Sequence, residues 1–500
     1  MIKRFLNHPV ALVVCFLTEM WERYGFYVIQ SLLALYLTSH LSLSDRYTYT
    51  LVGSFTALTY ISPIAGGWIA DRFLGQKKAV LVGASVLFIS YLILTIDSSI
   101  HWLMFALGGI AVGTGLLKPN VSSILGRQYQ PGDPKRDSGF TIFYMGITSG
   151  IILGTTIPIK LSEYFGWKLS FLSAAFGLVI AFLVFLIGSK KFKLIDYAQI
   201  EGQSIVNFIY ALISIMLMWG IFYGIMINTD LATLFFVVII MIAIGFVLSV
   251  AYKEEGLQRR KTLAFLLLCI ISVMFWSFYF QMFMSLTLFI RRAVEPTVLG
   301  IQFPPPYYVA VESVGMIVFG ILLASLWGKI KQANIALAAA IKFVISMAFM
   351  FLAYLLIWWS MFHQEHHLSG LINPSLILIA YLTISIAELM LSPVGLAAVT
   401  HLANPKVVST MMGVFFVSLG AGGYLAGKLA SLTAINPNQT DLIQIKSDYA
   451  SAFSQLTYFS FAAFIITLLL SSIIYLLMRR YYQNHQYNRL SQVKLAKYSS

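Results

Sequence analysis

The sequence predicts an all-α polytopic membrane protein, about 14 transmembrane helices arranged as two six-helix bundles with a helix pair inserted between them. Three observations predict it. Of 500 residues, 59% are hydrophobic and 10% charged, with a mean hydropathy of +0.83. Soluble domains carry about 25% charged residues, so this chain has too few to cover a water-facing surface. Apolar runs of about 20 residues recur from end to end, the length a helix needs to cross a ~30 Å hydrocarbon core. Basic residues gather in alternate connections, which is the bias that orients membrane helices.

Six spans are read at 9–38, 47–70, 78–97, 101–126, 138–163 and 167–189, then two at 204–226 and 231–252. Six more follow at 262–291, 307–329, 333–360, 374–401, 406–431 and 450–478. This order divides the chain into a first bundle (1–190), an inserted linker (191–260), a second bundle (261–485) and a tail (486–500). Because the middle pair returns the chain to the same side, both bundles begin on one face. The net charge of +14 is distributed as Arg72, Lys77 and Lys78; Arg127, Lys135 and Arg136; Lys190, Lys191 and Lys193; Arg259, Arg260 and Lys261; and similar clusters at both ends. That places the termini and the tail in the cytoplasm and makes nucleic acid an unneeded partner. The opening MIKRF leads into a long span without a small-residue cleavage site, so no cleavable signal is expected. Cys15 and Cys269 both lie in apolar segments and imply buried thiols, not a disulfide framework.

The first span contains CFLTEMWERYGFYVIQ, Cys15 to Gln30. On a helix, Glu19, Glu22, Arg23, Phe26 and Gln30 fall on one face. An ionisable group near the membrane centre costs roughly 2.5–3.5 kcal/mol, which makes this face a functional site by default. With all three ionised the face carries one net negative charge, and Lys118, just before Pro119 in the fourth span, can balance it. A static ionic staple between the two spans is the competing reading. It is the weaker one, because well-packed apolar residues would be no less stable there. In the second bundle Glu388 lies deep in a span, and Pro393 and Gly395 are expected to interrupt the helix one to two turns later. Arg23 and Lys118 can therefore face a carboxylate, and Glu388 an ammonium group.

The connection GGWIADRFLGQKK, Gly66 to Lys78, resembles the signature loop of the major facilitator superfamily. Its glycines Gly67 and Gly75 suit close helix approach, and Asp71 can accept bonds from a neighbouring helix terminus beside Arg72. A polar turn with orienting charges is the alternative. The resemblance implies the major facilitator fold and a gating role for these residues.

Four further stretches resemble the proton-dependent oligopeptide transporter family, in its bacterial form. They are EMWERYGFY from Glu19, GTGLLKPNVSSILG around Lys118, FYMGI from Phe143, and the stretch Ala387 to Phe416 around Glu388. The inserted pair is also a feature of the bacterial members. The resemblance covers nearly the whole chain. It implies a monomeric carrier of the bacterial inner membrane that imports di- or tripeptides with protons by alternating access, without cofactor or metal. It assigns proton coupling to Glu19, Glu22, Arg23 and Lys118. Substrate contacts are assigned to Arg23, Tyr27, Gln30, Tyr60, Lys118, Thr148, Trp276, Phe280, Gln281, Gly315, Glu388, Ser392 and Phe415. Read without the resemblance, each aromatic among them is as readily a packing residue.

The pattern breaks in several places. FWSFYFQMFMSLTLF puts Phe280 where the family has a glutamate, followed by Gln281. Lys118 thereby loses an expected partner. Gln30 stands for a basic residue, Thr148 for an asparagine, Gly315 for an asparagine and Phe415 for a tryptophan. Glu312 stands where glutamine is more usual; it is read as a solvated helix-end acid or as a compensating coupling group, with Lys342 as counter-charge or snorkelling lysine. His363, His366 and His367 allow a metal reading, against that of a plain polar loop. A different amino-acid-like cargo with altered or absent coupling, or a non-transporting sensor, are the alternative functions. No loop carries a nucleophile or nucleotide-binding motif, so an enzyme is not expected.

Overall fold

The computed structural model describes residues 8–96, 99–130, 133, 135–196, 205–327, 335–362, 370–436 and 439–498. The histidine cluster lies outside these. The first bundle consists of α1 (Ala11–Leu35), α2 (Asp45–Ile69), α3 (Gln76–Ile96), α4 (Ile100–Arg127), α5 (Lys135–Phe165) and α6 (Trp167–Lys191). The inserted pair is α7 (Ile205–Ile227) and α8 (Thr229–Lys253). The second bundle begins with α9 (Gly256–Tyr279) and its continuation α10 (Ser285–Ala293). It ends with α11 (Pro305–Trp327), α12 (Ile335–Ser360), α13 (Ser375–Leu402), α14 (Val408–Ala430) and α15 (Leu442–Tyr498). Among the described residues, 12 helices are long and apolar enough to cross a membrane, α9 and α10 counting as one. The two long helices outside that set are α1, which carries Glu19, Glu22 and Arg23, and α2. The six-two-six order holds, and the fold is that of the major facilitator transporters.

Small residues set how closely the helices lie. On α5, Gly146, Gly150 and Gly154 recur every fourth residue, and each packs directly on the α1 backbone, at Phe16, Met20 and Tyr24. That stripe lets α5 lie directly on α1, without a layer of side chains between them, and flank its charged face at Arg23. Gly66 of α2 meets the Gly115 carbonyl of α4 in the same way. Tyr91 of α3 donates to the Gly25 carbonyl at 2.6 Å, fixing the middle of α1 from the other side.

The inserted pair divides its loyalties. Trp219 of α7 donates to the Phe105 carbonyl of α4 at 2.7 Å and stacks on Phe105. Thr233 of α8 bonds the Tyr424 hydroxyl of α14 at 2.6 Å, with Phe236 against the same ring. Asn228 caps α8 between them.

Two expectations are corrected. The span read at 262–291 is not one helix: it breaks into a 3-10 turn at Phe280–Phe283, and Met284 leaves the helical region. Side chains replace the lost backbone bonds there. Gln281 donates to the carbonyls of Ser277 and Ala426, Ser285 donates to Gln281, and Thr287 donates to the Met282 carbonyl. Conversely, α13 runs unbroken through Pro393, where an interruption was expected, with Phe415 of α14 packed on Gly395.

A Cβ on Gly66 would overlap the Gly115 carbonyl, whereas one on Gly67 would meet nothing within 4 Å. Overpacking of this kind costs roughly 1–3 kcal/mol. Gly66→Ala is therefore expected to lower the thermal unfolding midpoint in detergent by several degrees, and Gly67→Ala to leave it nearly unchanged.

Candidate functional site

The charged face of α1 is assembled as an ion cluster. Arg23 lies bidentate on Glu22, Nε to Oε2 at 2.5 Å and Nη2 to Oε1 at 2.6 Å. Glu19 Oε1 stands 3.6 Å from Arg23 Nε, and its other oxygen has no hydrogen-bond partner among the described residues. Thr114 of α4 donates to Glu22 at 3.3 Å. All three charged groups are 4% exposed or less, so the network replaces water as their solvent.

Lys118 completes the wall. Its ammonium sits 5.4 Å from the centre of the Tyr60 ring, with Glu19, Glu22 and Arg23 in electrostatic reach. The Tyr60 ring is 5.3 Å from Phe280, which stacks 5.3 Å from Trp276. The position that lost its carboxylate therefore buttresses the ring holding the lysine. A cation over an aromatic face is worth up to about 2 kcal/mol when desolvated, which keeps Lys118 in place without an anion at position 280.

The opposite wall belongs to the second bundle. Glu388 of α13 is partly exposed, and its carboxyl meets that of Glu312 on α11 and the Tyr279 hydroxyl on α9. Glu312 is 2% exposed, which overturns the reading of a solvated helix-end acid. Its partner is another carboxyl. Tyr27 and Tyr60 stand between the walls, each within electrostatic reach of both Arg23 and Glu388. The site thus has a mixed Arg–Lys–Glu cluster on one side of a tyrosine-lined gap and two carboxyls on the other.

Other expected contacts fall elsewhere. Gln281 is consumed by the helix break. Gly315 is pressed against Ser385 of α13, where the usual asparagine has no room. Phe415 is buried on Gly395. Gln30 donates to Thr56 at 3.1 Å inside the first bundle. Thr148 and Ser392 are half-buried, Thr148 donating back to the Tyr144 carbonyl. In the α2–α3 connection the close-approach glycine is Gly66 rather than Gly67, while Gly75 adopts φ +75° to end the turn. Asp71 and Arg72 are exposed, and Arg127 is the charge that Asp71 feels. The carboxylate that takes a helix terminus is Asp196, which accepts from the backbone of Gln76 and Lys77 at 3.2 Å.

Sequence reasoning missed the latch at the other end. Arg292 of α10 makes two bonds to Asp45 of α2, at 2.6 and 2.8 Å, and Asp45 also accepts from the Ile435 backbone at 3.0 Å. Tyr449 of α15 accepts from Arg292 at 3.3 Å. The latch joins the two bundles on the face opposite the α2–α3 turn. Its signal was the pair Arg291–Arg292, two basic residues on the face that the charge bias leaves poor in them. Lys118 and Glu388, which face the gap, remain partly exposed.

Two bundles around a polar midplane site, closed at one end, define a solute transporter of the major facilitator type. The chain belongs to the POT family, whose model matches residues 77–447. It is 30% identical to the dipeptide and tripeptide permease A of Serratia proteamaculans, over 90% of this chain and 88% of that protein. It is 30% identical to the dipeptide and tripeptide permease B of Salmonella typhimurium, over 90% and 92%. A crystal structure of a POT peptide transporter in complex with sulfate superposes with a TM-score of 0.80 at 27% identity, covering 95% of this chain and 96% of that one.

Asp45 is 2% exposed, and removing its charge leaves Arg292 facing a neutral amide. Truncating one partner of a buried charge pair costs about 2–5 kcal/mol. Asp45→Asn is expected to shift the population toward states open on the latch face, read as a longer distance between spin labels on the far ends of α2 and α10.

Proposed function

We propose that this chain is a secondary active transporter that imports di- and tripeptides, or similar small zwitterions, with protons by alternating access. One observation carries the reading. The Arg23–Lys118 wall and the Glu388 wall face each other across Tyr27 and Tyr60, so a cargo with a carboxylate at one end and an ammonium at the other matches both. The relatives named as dipeptide and tripeptide permeases support the same cargo class. Arg23, Lys118, Tyr27, Tyr60, Trp276, Phe280 and Glu388 form the cargo site, with Thr148 and Ser392 at its margin. The Glu19–Glu22–Arg23–Lys118 cluster is the proton-sensitive element of the first bundle. A proton on Glu19 or Glu22 frees part of the Arg23 fork for the cargo carboxylate. The chain works as a monomer in a bacterial inner membrane, and the basic connections support placing both termini in the cytoplasm. The latch is then periplasmic, and its closure, with Lys118 and Glu388 still partly exposed, supports reading this arrangement as inward-accessible. Gly67, Asp71, Arg72 and Gly75 belong to the gate that forms when the cytoplasmic side closes.

Uptake of labelled dialanine into proteoliposomes under an imposed inward proton gradient tests the reading, with accumulation above the external concentration as the expected result. Arg23→Lys keeps the charge but loses the bidentate hold on Glu22. Each charge-assisted bond is worth about 1.5–3 kcal/mol, so this variant should transport at least tenfold more slowly at equal membrane expression. Glu388→Gln is nearly isosteric but uncharged. It is expected to fold normally and to lose the preference for free over N-acetylated dipeptide in competition assays.

A further inference from the structure

Glu312 and Glu388 are two carboxyl groups in contact, from α11 and α13, with Glu312 buried. Among the described residues neither joins an ion pair, unlike the carboxylates of α1. The titratable groups facing them are tyrosines: Tyr279 from α9, Tyr27 from α1, Tyr381 from α13 and, toward Glu388, Tyr60 from α2. Ser313 donates to Glu312 Oε2 at 3.3 Å, and among the described residues Glu312 Oε1 has no donor. Two ionised carboxylates at contact in such surroundings repel, and one proton held between them removes the conflict. Two more polar groups lie beside Glu312. The hydroxyls of Tyr308, one turn before it, and of Tyr381 are buried without hydrogen-bond partners among the described residues, and their rings are 5.5 Å apart. Buried hydroxyls of this kind are ordinarily satisfied by water, the medium a proton needs to travel.

We propose that Glu312 and Glu388 share a proton that crosses the membrane with the cargo, making Glu312 a second proton-carrying residue, in the bundle whose Phe280 carries none. This rests on the transport reading above. The exchange is proton transfer alone. A periplasmic proton adds to a carboxylate oxygen of the pair, and Glu312 keeps it while Glu388, still ionised, takes the cargo ammonium. After the cargo leaves, water entering from the open side solvates the pair, and the proton departs from Glu312 to that water. The glutamine more usual at this position would donate the same bond to Glu388 but carry no proton.

Two measurements test it. In proteoliposomes clamped at zero voltage, the steady accumulation of dialanine is read against the pH difference for wild type and Glu312→Gln. The loss of one coupled proton should lower the accumulation limit of the variant by about tenfold per unit of pH difference. An unchanged slope would overturn the crossing of this proton. Infrared difference spectra of the purified protein, taken across a pH titration, should show a protonated-carboxyl band that weakens in both Glu312→Gln and Glu388→Gln. A band of full strength in both variants would overturn the shared proton, whatever the transport result. Should wild type take up no dialanine, the transport reading fails and the crossing with it, while the infrared band still decides whether the pair holds a proton.

Discussion

The Glu22–Arg23 pair is the interaction on which the rest of the structure depends. A guanidinium and a carboxylate held 2.5–2.6 Å apart in a helix that must lie in lipid are tolerable only if the surrounding helices exclude bilayer from that face. The glycine stripe of α5 does so from one side and the Tyr91–Gly25 bond from the other. The polar face of α1 is left with one direction to look, toward the second bundle. The charge of one bundle therefore dictates where the two bundles must meet.

The second bundle answers with a different economy. Where a carboxylate might have paired with Lys118 it places Phe280, and the cation is carried on Tyr60 instead. Its own acids are gathered between α11 and α13, against each other. The cations of the first wall thus face the acids of the second, and a zwitterion can reach both at once. Had Lys118 found its anion directly across the gap, the empty site would neutralise itself.

Much of this was legible in the sequence because hydropathy and basic residues are patterns along the chain. The six-two-six order and the identities of Glu19, Glu22, Arg23, Lys118 and Glu388 follow from charge placed where lipid should be. What could not be read is which way a side chain turns within a bundle that has no water-facing side to give a period. Position along the chain puts Gly315 and Phe415 near a cargo, whereas in the fold Gly315 lies against Ser385 and Phe415 against Gly395. Gln281 was read as a contact because nothing in the sequence marks the helix break: neither Gly nor Pro stands at Phe280–Met284. The Glu312–Glu388 contact and the Asp45–Arg292 latch join helices far apart in the chain, and neither leaves a local trace beyond an unexpected charge.

The inserted pair has a mechanical consequence. With α7 fastened to α4 through Trp219 and α8 to α14 through Tyr424, the two bundles are riveted to the arms of a single hairpin whose hinge is the turn at Asn228. Any rocking of one bundle against the other must then open or close that hairpin like a pair of dividers. The angle at Asn228 becomes a gauge of the whole molecule's state, and the stiffness of that short turn sets a ceiling on how far the bundles can swing.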